Sequence, residues 1–223
     1  MPRAPARAVV FDNDGLLLDT EPCWTRAQTE LFRRRGRLFD LAAKHALVGT
    51  SPKTAAVILE QLLQEPGLGA ELSAELYTLA LEEIANGAAP QPGAVELIAE
   101  LRGKLPLAVA SNAPRRHLLT GLRRVGLEDA FDVLLGVDDV ANPKPAPDLY
   151  ASACKALGVR PSQAIALEDS PPGVAAAHAA GLFVVGIPSV PGVVLDADVV
   201  ASSLEDRAVR AALGLDGVST GHR

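Results

Sequence analysis

Residues 8–21 of the chain read AVVFDNDGLLLDTE, and this stretch decides the fold. The apolar residues 9–11 run without alternation into Asp12, which is typical of a parallel strand that is buried on both faces. Asp14 follows two residues later, and Gly15 allows the backbone to turn after it. Two carboxylates about 4 Å apart repel each other by roughly 4 kcal/mol at an effective dielectric constant of ~20, so we expect a divalent cation beside them. A calcium loop would need a further oxygen ligand before the glycine and a Glu that closes the loop, and this stretch has neither. A surface turn with Asp at turn positions stays an alternative for this stretch alone.

The composition of the 223 residues limits the possible partners of the protein. The net charge is −6, and the one dense basic cluster, RRRGR at 33–37, is typical of a solvated helix end, so we expect no nucleic acid to bind. Cys23 and Cys154 lie too far apart in sequence to suggest a disulfide framework. No apolar run reaches the ~18 residues of a membrane span, and residues 1–7 lack the apolar core of a signal peptide. We therefore expect a cytoplasmic protein, monomeric, without membrane contact and with a small-molecule ligand.

The order of the predicted elements indicates an α/β fold with a helical insertion. Helices without an intervening strand are predicted over 23–35, 38–47, 52–64 and 70–86. From Pro92 onward, strands are predicted over 105–110, 131–135, 164–167, 183–187 and 199–201, and helices over 93–103, 114–125, 147–157, 172–180 and 204–213. This alternation is typical of a parallel sheet wrapped by helices, and the residues after Gly214 are predicted to fray.

Polar side chains recur where the predicted strands end. Asp12 and Asp14 follow the first strand, Ser111 and Asn112 follow strand 105–110, Glu168 and Asp169 follow strand 164–167, and Lys144 lies in the loop NPKPAPD. Ligands of open parallel sheets bind at the carboxyl ends of the strands, so we expect these four segments to form one site.

The residue types in this site suit phosphoryl transfer. We expect Asp12 to attack phosphorus and form an aspartyl-phosphate, with Mg²⁺ held by this carboxylate and by Asp169. We expect Asp14 to protonate the leaving oxygen and then to activate water. Glu168 either holds the metal through water or fixes Asp169 in place.

The remaining residues of the four segments suit phosphate binding. Ser111 and the amide of Asn112 offer neutral hydrogen bonds to phosphate oxygens, and Lys144 offers a positive charge. Each segment alone has a simpler interpretation: Ser-Asn as a helix N-cap, NPKP as a rigid loop and Glu-Asp as a helix start. The four segments in this order favour the functional interpretation.

The segments DNDGLLLDTEP, VASNA, NPKPAPDLY and LEDSPPGVAAAHAAG resemble the four ordered motifs of haloacid dehalogenase-like phosphatases over nearly the whole chain. The resemblance implies a Rossmann-like core formed by residues 1–17 and 91–223, with a helical cap at 18–90. It also implies that Asp12 is the nucleophile, that Asp14 is the acid/base, and that Ser111 and Lys144 bind phosphate. Mg²⁺ would then be held by Asp12, the Asp14 carbonyl and Asp169.

The first motif separates the activities within this family. A true haloacid dehalogenase lacks the second acid, which is present here as Asp14. The chain is similar to beta-phosphoglucomutases, but it has Trp24 where they carry a His and residues 49–52 (GTSP) where they carry an Arg-containing loop. DTEPCW is instead similar to the 2-deoxyglucose-6-phosphate phosphatase type, so we expect a phosphatase that acts on a small sugar or polyol phosphate. The alternatives are a phosphomutase and, in a different class, a non-catalytic regulator that binds a phosphorylated metabolite.

Three residues of the predicted cap, Glu21, Trp24 and Lys53, are candidates for contact with the leaving group. Glu21 equally suits stabilisation of a helix start, and Trp24 equally suits the core of the cap. Asn13 replaces the usual apolar residue between the two acids, and we expect its side chain to point away from them.

Overall fold

The structure, a computed structural model, describes residues 5–190 and 192–215 and contains a six-stranded parallel sheet. The strands of this sheet are β1 (Ala8–Phe11), β4 (Leu107–Ala110), β5 (Val133–Leu135), β6 (Ala164–Glu168), β7 (Phe183–Gly186) and β8 (Val199–Val200), in the order β5-β4-β1-β6-β7-β8. A separate antiparallel pair joins β2 (Leu18–Asp19) to β3 (Ala89–Pro90). The predicted α/β fold with a parallel sheet is therefore confirmed.

Helices cover both faces of the sheet. The helices that follow β3 are α5 (Ala94–Leu101), α6 (Arg115–Arg124), α7 (Asp148–Ala156), α8 (Pro171–Ala180) and α9 (Arg207–Leu213). Val9 and Phe11 of β1 pack with apolar residues of α5, α6 and α9, while Ala8 and Val10 pack with those of α7 and α8. Successive residues of a strand point to opposite faces, so the unbroken apolar run of β1 fills two layers.

The helical segment, as we call α1 to α4, lies between β2 and β3. Its helices are α1 (Glu21–Arg34), α2 (Leu41–Leu47), α3 (Pro52–Leu63) and α4 (Gly69–Gly87). They share an apolar cluster of their own, in which Leu31, Leu59 and Leu72 are fully or almost fully buried. The arginines at the end of α1 form ion pairs with glutamates of α1, α4 and the loop after α3. Three of the four arginines of the basic cluster are thus paired within the helical segment, and the fourth, Arg37, donates to Gln64 Oε1 at 2.8 Å.

Some predicted boundaries were wrong for local reasons. Helix α2 begins at Leu41 instead of residue 38, because the Asp40 side chain accepts a hydrogen bond from the Ala43 N–H and caps the helix there. Strand β4 begins after Pro106, which has no N–H to donate to a neighbouring strand. Most of the tail after Gly214 lies outside the described residues, so its predicted fraying is not addressed by the structure. Within the described ranges, no helix has both the length and the apolar character to span a membrane.

Candidate active site

The four predicted segments meet in one cavity between the carboxyl ends of the strands and the helical segment. Its core side includes Asp12, Asp14, Ser111, Asn112, Lys144 and Asp169. Its other side includes Thr20, Glu21, Trp24, Gln28, Leu47, Thr50, Leu76 and Tyr77. The structure therefore brings the core residues that were predicted from sequence to one place.

Asp12 and Glu168 share a buried lysine. Strands β1 and β6 pair in register through Phe11 and Leu167, so the next residue of each strand lies at the same edge of the sheet. Lys144 Nζ donates to Asp12 Oδ1 at 2.6 Å and to Glu168 Oε1 at 2.5 Å. The exposed fractions of the three side chains are 3% for the lysine, 10% for Asp12 and 0% for Glu168. Lys144 thus neutralises part of the negative charge at the strand ends.

Glu168 is a structural anchor of the site. Its Oε1 accepts a second hydrogen bond, from Tyr150 Oη at 2.6 Å. Its Oε2 accepts hydrogen bonds from the Asp169 N–H at 3.0 Å, the Ser170 N–H at 3.2 Å and Ser170 Oγ at 3.1 Å. Five donors therefore occupy this carboxylate, which holds Lys144 and the backbone at Asp169 in place.

The oxygen atoms beside Asp12 fit a divalent cation. Carboxylate oxygens of Asp12, Glu168 and Asp169 lie within 4.8 Å of one another. Since the hydrogen bonds occupy Glu168, Asp12 and Asp169 are the carboxylates that can hold an ion. Gly15 has φ of +90°, and a Cβ at this position would lie 2.1 Å from Asp169 Oδ2, so a glycine is required for the backbone to approach this carboxylate. Hard oxygen donors at this spacing suit Mg²⁺.

The pKa values of these groups reflect crowded negative charge. Burial raises the pKa of Asp12 well above its usual range, and Lys144 offsets only part of this effect. Burial and the neighbouring Glu168 raise the pKa of Asp169 to about 7, although Ser189 Oγ donates to it at 2.5 Å. Burial lowers the pKa of Lys144, but the two adjacent carboxylates outweigh burial and raise it overall. A bound cation would favour the ionised form of both aspartates.

Asp14 receives hydrogen bonds from both sides of the cavity. Thr20 Oγ1 donates to its Oδ1 at 2.7 Å, and Trp24 Nε1 approaches the same oxygen at 3.4 Å. Ser111 Oγ, which follows β4 in the core, donates to Oδ2 at 3.2 Å. The carboxyl group of Asp14 is therefore held in one orientation by the helical segment and by the sheet.

Asn112 fixes the loop that carries Lys144. Its Oδ1 accepts from the Lys144 N–H at 2.9 Å, and its Nδ2 donates to the Lys144 carbonyl and to the Gly49 carbonyl, both at 3.2 Å. The side chain is thus used within the protein. Among the described residues the backbone N–H of Asn112 has no hydrogen-bond partner, so it is free to donate to a phosphate oxygen.

The three candidate residues of the helical segment differ in their placement. Glu21 lines the cavity and forms an ion pair with Lys44 at 2.8 Å. Trp24 lines the cavity too, and its ring packs on Tyr77 at 5.1 Å between centroids and on His117 at 6.1 Å. Lys53 is exposed on α3 and does not line the cavity, so the structure does not bring it to the site. Contact between Lys53 and the leaving group stays a prediction from sequence.

Sequence reasoning missed several residues of the site. Two of the missed residues, Thr20 and Gln28, lie four residues before and four residues after Trp24, which was predicted. This spacing places side chains on one face of a helix. This periodicity was a usable signal for Thr20 and Gln28. Tyr150 lies in the segment NPKPAPDLY, but its contact with Glu168 joins distant parts of the chain. Ser189 lies beyond the four segments and carried no sequence signal.

Comparison with known proteins identifies the family of this chain. Residues 6–181 match the family model of haloacid dehalogenase-like hydrolases. The chain is 36% identical to validoxylamine A 7'-phosphate phosphatase from Streptomyces hygroscopicus subsp. limoneus, over 81% of this chain and 85% of that protein. It is 31% identical to the fructose-1-phosphate phosphatase YqaB of Escherichia coli (strain K12), over 80% of this chain and 95% of that protein. The crystal structure of CbbY from Rhodobacter sphaeroides in complex with phosphate matches with a TM-score of 0.81 and 30% identity, over 94% of this chain and 100% of that chain. The chain therefore belongs to the haloacid dehalogenase-like hydrolase family.

Proposed function

We propose that this protein is a Mg²⁺-dependent phosphomonoester hydrolase that acts on a small phosphorylated metabolite, a sugar or polyol phosphate. The observation that carries the proposal is the presence of two distinct carboxylates in one cavity. Asp12 lies against Lys144, whereas Asp14 lies against neutral hydroxyl and indole groups. Relatives that are named as phosphatases of phosphorylated carbohydrates and of fructose 1-phosphate support the choice of substrate class.

In the first step, a carboxylate oxygen of Asp12 attacks phosphorus and forms a new P–O bond, while the bond from phosphorus to the leaving oxygen breaks. Asp14 donates its proton to that leaving oxygen. Lys144 and Ser111 place a positive charge and a hydroxyl donor where the negative charge of the phosphoryl oxygens develops. The products of this step are the free alcohol and an aspartyl-phosphate on Asp12.

In the second step, water cleaves the aspartyl-phosphate. Asp14, now a carboxylate, accepts a proton from the water as its oxygen attacks phosphorus, and the bond from phosphorus to Asp12 breaks. Inorganic phosphate leaves, and the carboxylates return to their starting states. The 2.7 Å hydrogen bond from Thr20 keeps Asp14 in the same orientation for both proton transfers, while the Ser111 hydroxyl, which donates to Asp14 in the free protein, turns to the phosphoryl oxygens.

We propose that Asp12, Asp169 and the backbone carbonyl of Asp14 hold the metal. When bound, Mg²⁺ supplies positive charge that offsets the repulsion between the carboxylates and the phosphate. We also propose that residues 18–90 form a cap over a core of residues 1–17 and 91–223. The cytoplasmic location and the monomeric state stay predictions from sequence.

The experiment is phosphate release from a panel of phosphomonoesters, with and without Mg²⁺, by the wild type and by Asp12→Asn. We expect Mg²⁺-dependent release by the wild type and background rates for the variant, because uncatalysed phosphomonoester hydrolysis is among the slowest known reactions. Asp129→Asn is the matched control, since Asp129 is exposed before β5, away from the carboxyl ends of the strands. A wild type without turnover on the whole panel, or an active Asp12→Asn variant, would refute the proposal.

The phosphomutase alternative predicts a different result with the same purified protein. An aspartyl-phosphate that is formed from acetyl phosphate would pass to added glucose 1-phosphate faster than to water. A phosphatase passes the phosphoryl group to water even when the sugar phosphate is present, so inorganic phosphate forms and no sugar bisphosphate does. Quench-flow measurement of both products separates the two activities.

A further inference from the structure

We propose that Gln28 selects the substrate by binding a hydroxyl group of the leaving group. This inference rests on the proposed function and extends it to the part of the substrate that is not phosphate. Gln28 lines the cavity and is 4% exposed. Its Oε1 is buried and has no hydrogen-bond partner among the described residues.

The position of Gln28 on α1 indicates which part of a substrate it would meet. Thr20 and Trp24 contact Asp14, and Gln28 follows one helical turn later on the same face. Four residues of an α-helix advance by ~6 Å along its axis. Gln28 therefore faces the cavity ~6 Å farther along α1 than Trp24, in the region of the leaving group and away from the phosphate.

The other polar side chains on this side of the cavity already have partners in the protein. Glu21 pairs with Lys44. Thr50 Oγ1 donates to the Leu47 carbonyl at 2.8 Å, and Tyr77 Oη donates to the Thr50 carbonyl at 3.2 Å. Among the described residues on this side of the cavity, Gln28 therefore has the polar side chain whose oxygen, Oε1, is free to accept a hydrogen bond from a ligand.

The chemistry of a carboxamide defines the class of ligand. A buried carboxamide oxygen without a partner destabilises the folded protein, and a ligand removes that penalty only if it supplies a hydrogen bond. A hydroxyl group both donates and accepts, so it can pair with the oxygen or with the NH₂ group. The adjacent apolar side chains, Leu47 and Leu76, suit the carbon skeleton of the same ligand. These properties select a polyhydroxylated leaving group over an alkyl or aryl one.

The test compares hydroxylated phosphate esters with an ester that lacks hydroxyl groups, on the wild type and on three variants. Glucose 6-phosphate and cyclohexylmethyl phosphate share a six-membered ring with a phosphorylated CH₂ group, but the second ester lacks hydroxyl groups. For Gln28→Leu, we expect kcat/KM to fall about tenfold on the best substrate among glucose 6-phosphate, fructose 1-phosphate and sorbitol 6-phosphate. On cyclohexylmethyl phosphate we expect kcat/KM to stay equal or to rise. Gln28→Met provides a second variant, and Gln61→Leu, at an exposed position of α3, provides the control with both esters unchanged.

The outcomes separate the inference from the proposed function. A loss that is confined to the hydroxylated esters in both Gln28 variants supports the inference. An equal loss on the two kinds of ester, or no loss on either, would overturn the inference and leave the phosphatase activity standing. A wild type that hydrolyses none of these esters and no other phosphomonoester of the panel would overturn the proposed function, and this inference would fall with it.

Discussion

Replacement of Lys144 by Met removes the buried cation between Asp12 and Glu168. The lysine Nζ lies 2.6 Å from one carboxylate and 2.5 Å from the other, and its side chain is 3% exposed. Two hydrogen bonds between charged groups contribute ~1.5–3 kcal/mol each, which gives a loss of ~3–6 kcal/mol. Removal of one partner from a buried ion pair costs ~3–5 kcal/mol in measured cases. We therefore expect the free energy of unfolding to fall by ~4 kcal/mol.

Urea unfolding followed by circular dichroism, in EDTA, measures this change without a contribution from bound metal. Lys155→Met, at an exposed position of α7, is the matched control and should change the free energy of unfolding by less than ~0.5 kcal/mol. The double variant Lys144→Met with Glu168→Gln removes one of the two carboxylates that lose their cation in Lys144→Met. We expect this double variant to be more stable than Lys144→Met alone, so the two effects should not add.

Two results would refute this reasoning. The first is a loss of less than ~1 kcal/mol for Lys144→Met, because the lysine would then contribute no more than a surface ion pair. The second is strict additivity of the Lys144 and Glu168 variants, because groups in direct contact are expected to couple. Either result would mean that Lys144 does not neutralise the carboxylates in solution.

Three further predictions concern Gly173, which lies beside Glu168, the hydrogen bond from Thr20 to Asp14, and the proposed metal site. Gly173→Ala should lower the free energy of unfolding by ~3 kcal/mol in thermal or urea unfolding, because its Cβ would lie 1.9 Å from Glu168 Oε1, and five hydrogen bonds to its two oxygens hold this carboxylate in place. Thr20→Val should lower kcat about tenfold in steady-state kinetics, with little change in stability, because it removes a 2.7 Å hydrogen bond to Asp14 and keeps the shape of the side chain. Chelation by EDTA should abolish phosphate release and added Mg²⁺ should restore it, whereas turnover in EDTA would contradict the proposed metal site.

The sheet and the core side of the cavity could be predicted because their signals are local. An apolar run followed by acids marks β1 and its carboxyl end, and parallel strands bring such ends to one edge of a sheet. Asp12, Ser111 and Asp169 line one cavity for this reason, although they come from three separate segments, and Asn112 holds the loop that brings Lys144 to them. Their assigned roles in catalysis stay predictions.

The contacts that hold the site together could not be predicted because they join distant residues. The Glu-Asp pair after β6 gave no indication that Tyr150 and Lys144 both bind Glu168. Strands β2 and β3 contain two residues each and pair across the whole helical segment, so hydrophobic periodicity gives no signal for them. The exposure of Lys53 depends on how α3 packs against its neighbours, which its sequence position does not reveal.

The contacts of Asp14 connect the helical segment to the proposed chemistry. Ser111 approaches this carboxyl group from the sheet, whereas Thr20 and Trp24 approach it from the start of α1. A second contact between the two parts, from Asn112 Nδ2 to the Gly49 carbonyl, starts at the residue that fixes the Lys144 loop. Separation of the helical segment from the sheet would remove two of the three donors to Asp14 and one constraint on that loop. Under the proposed mechanism, the packing that encloses the leaving group is therefore the same packing that orients the acid which protonates it.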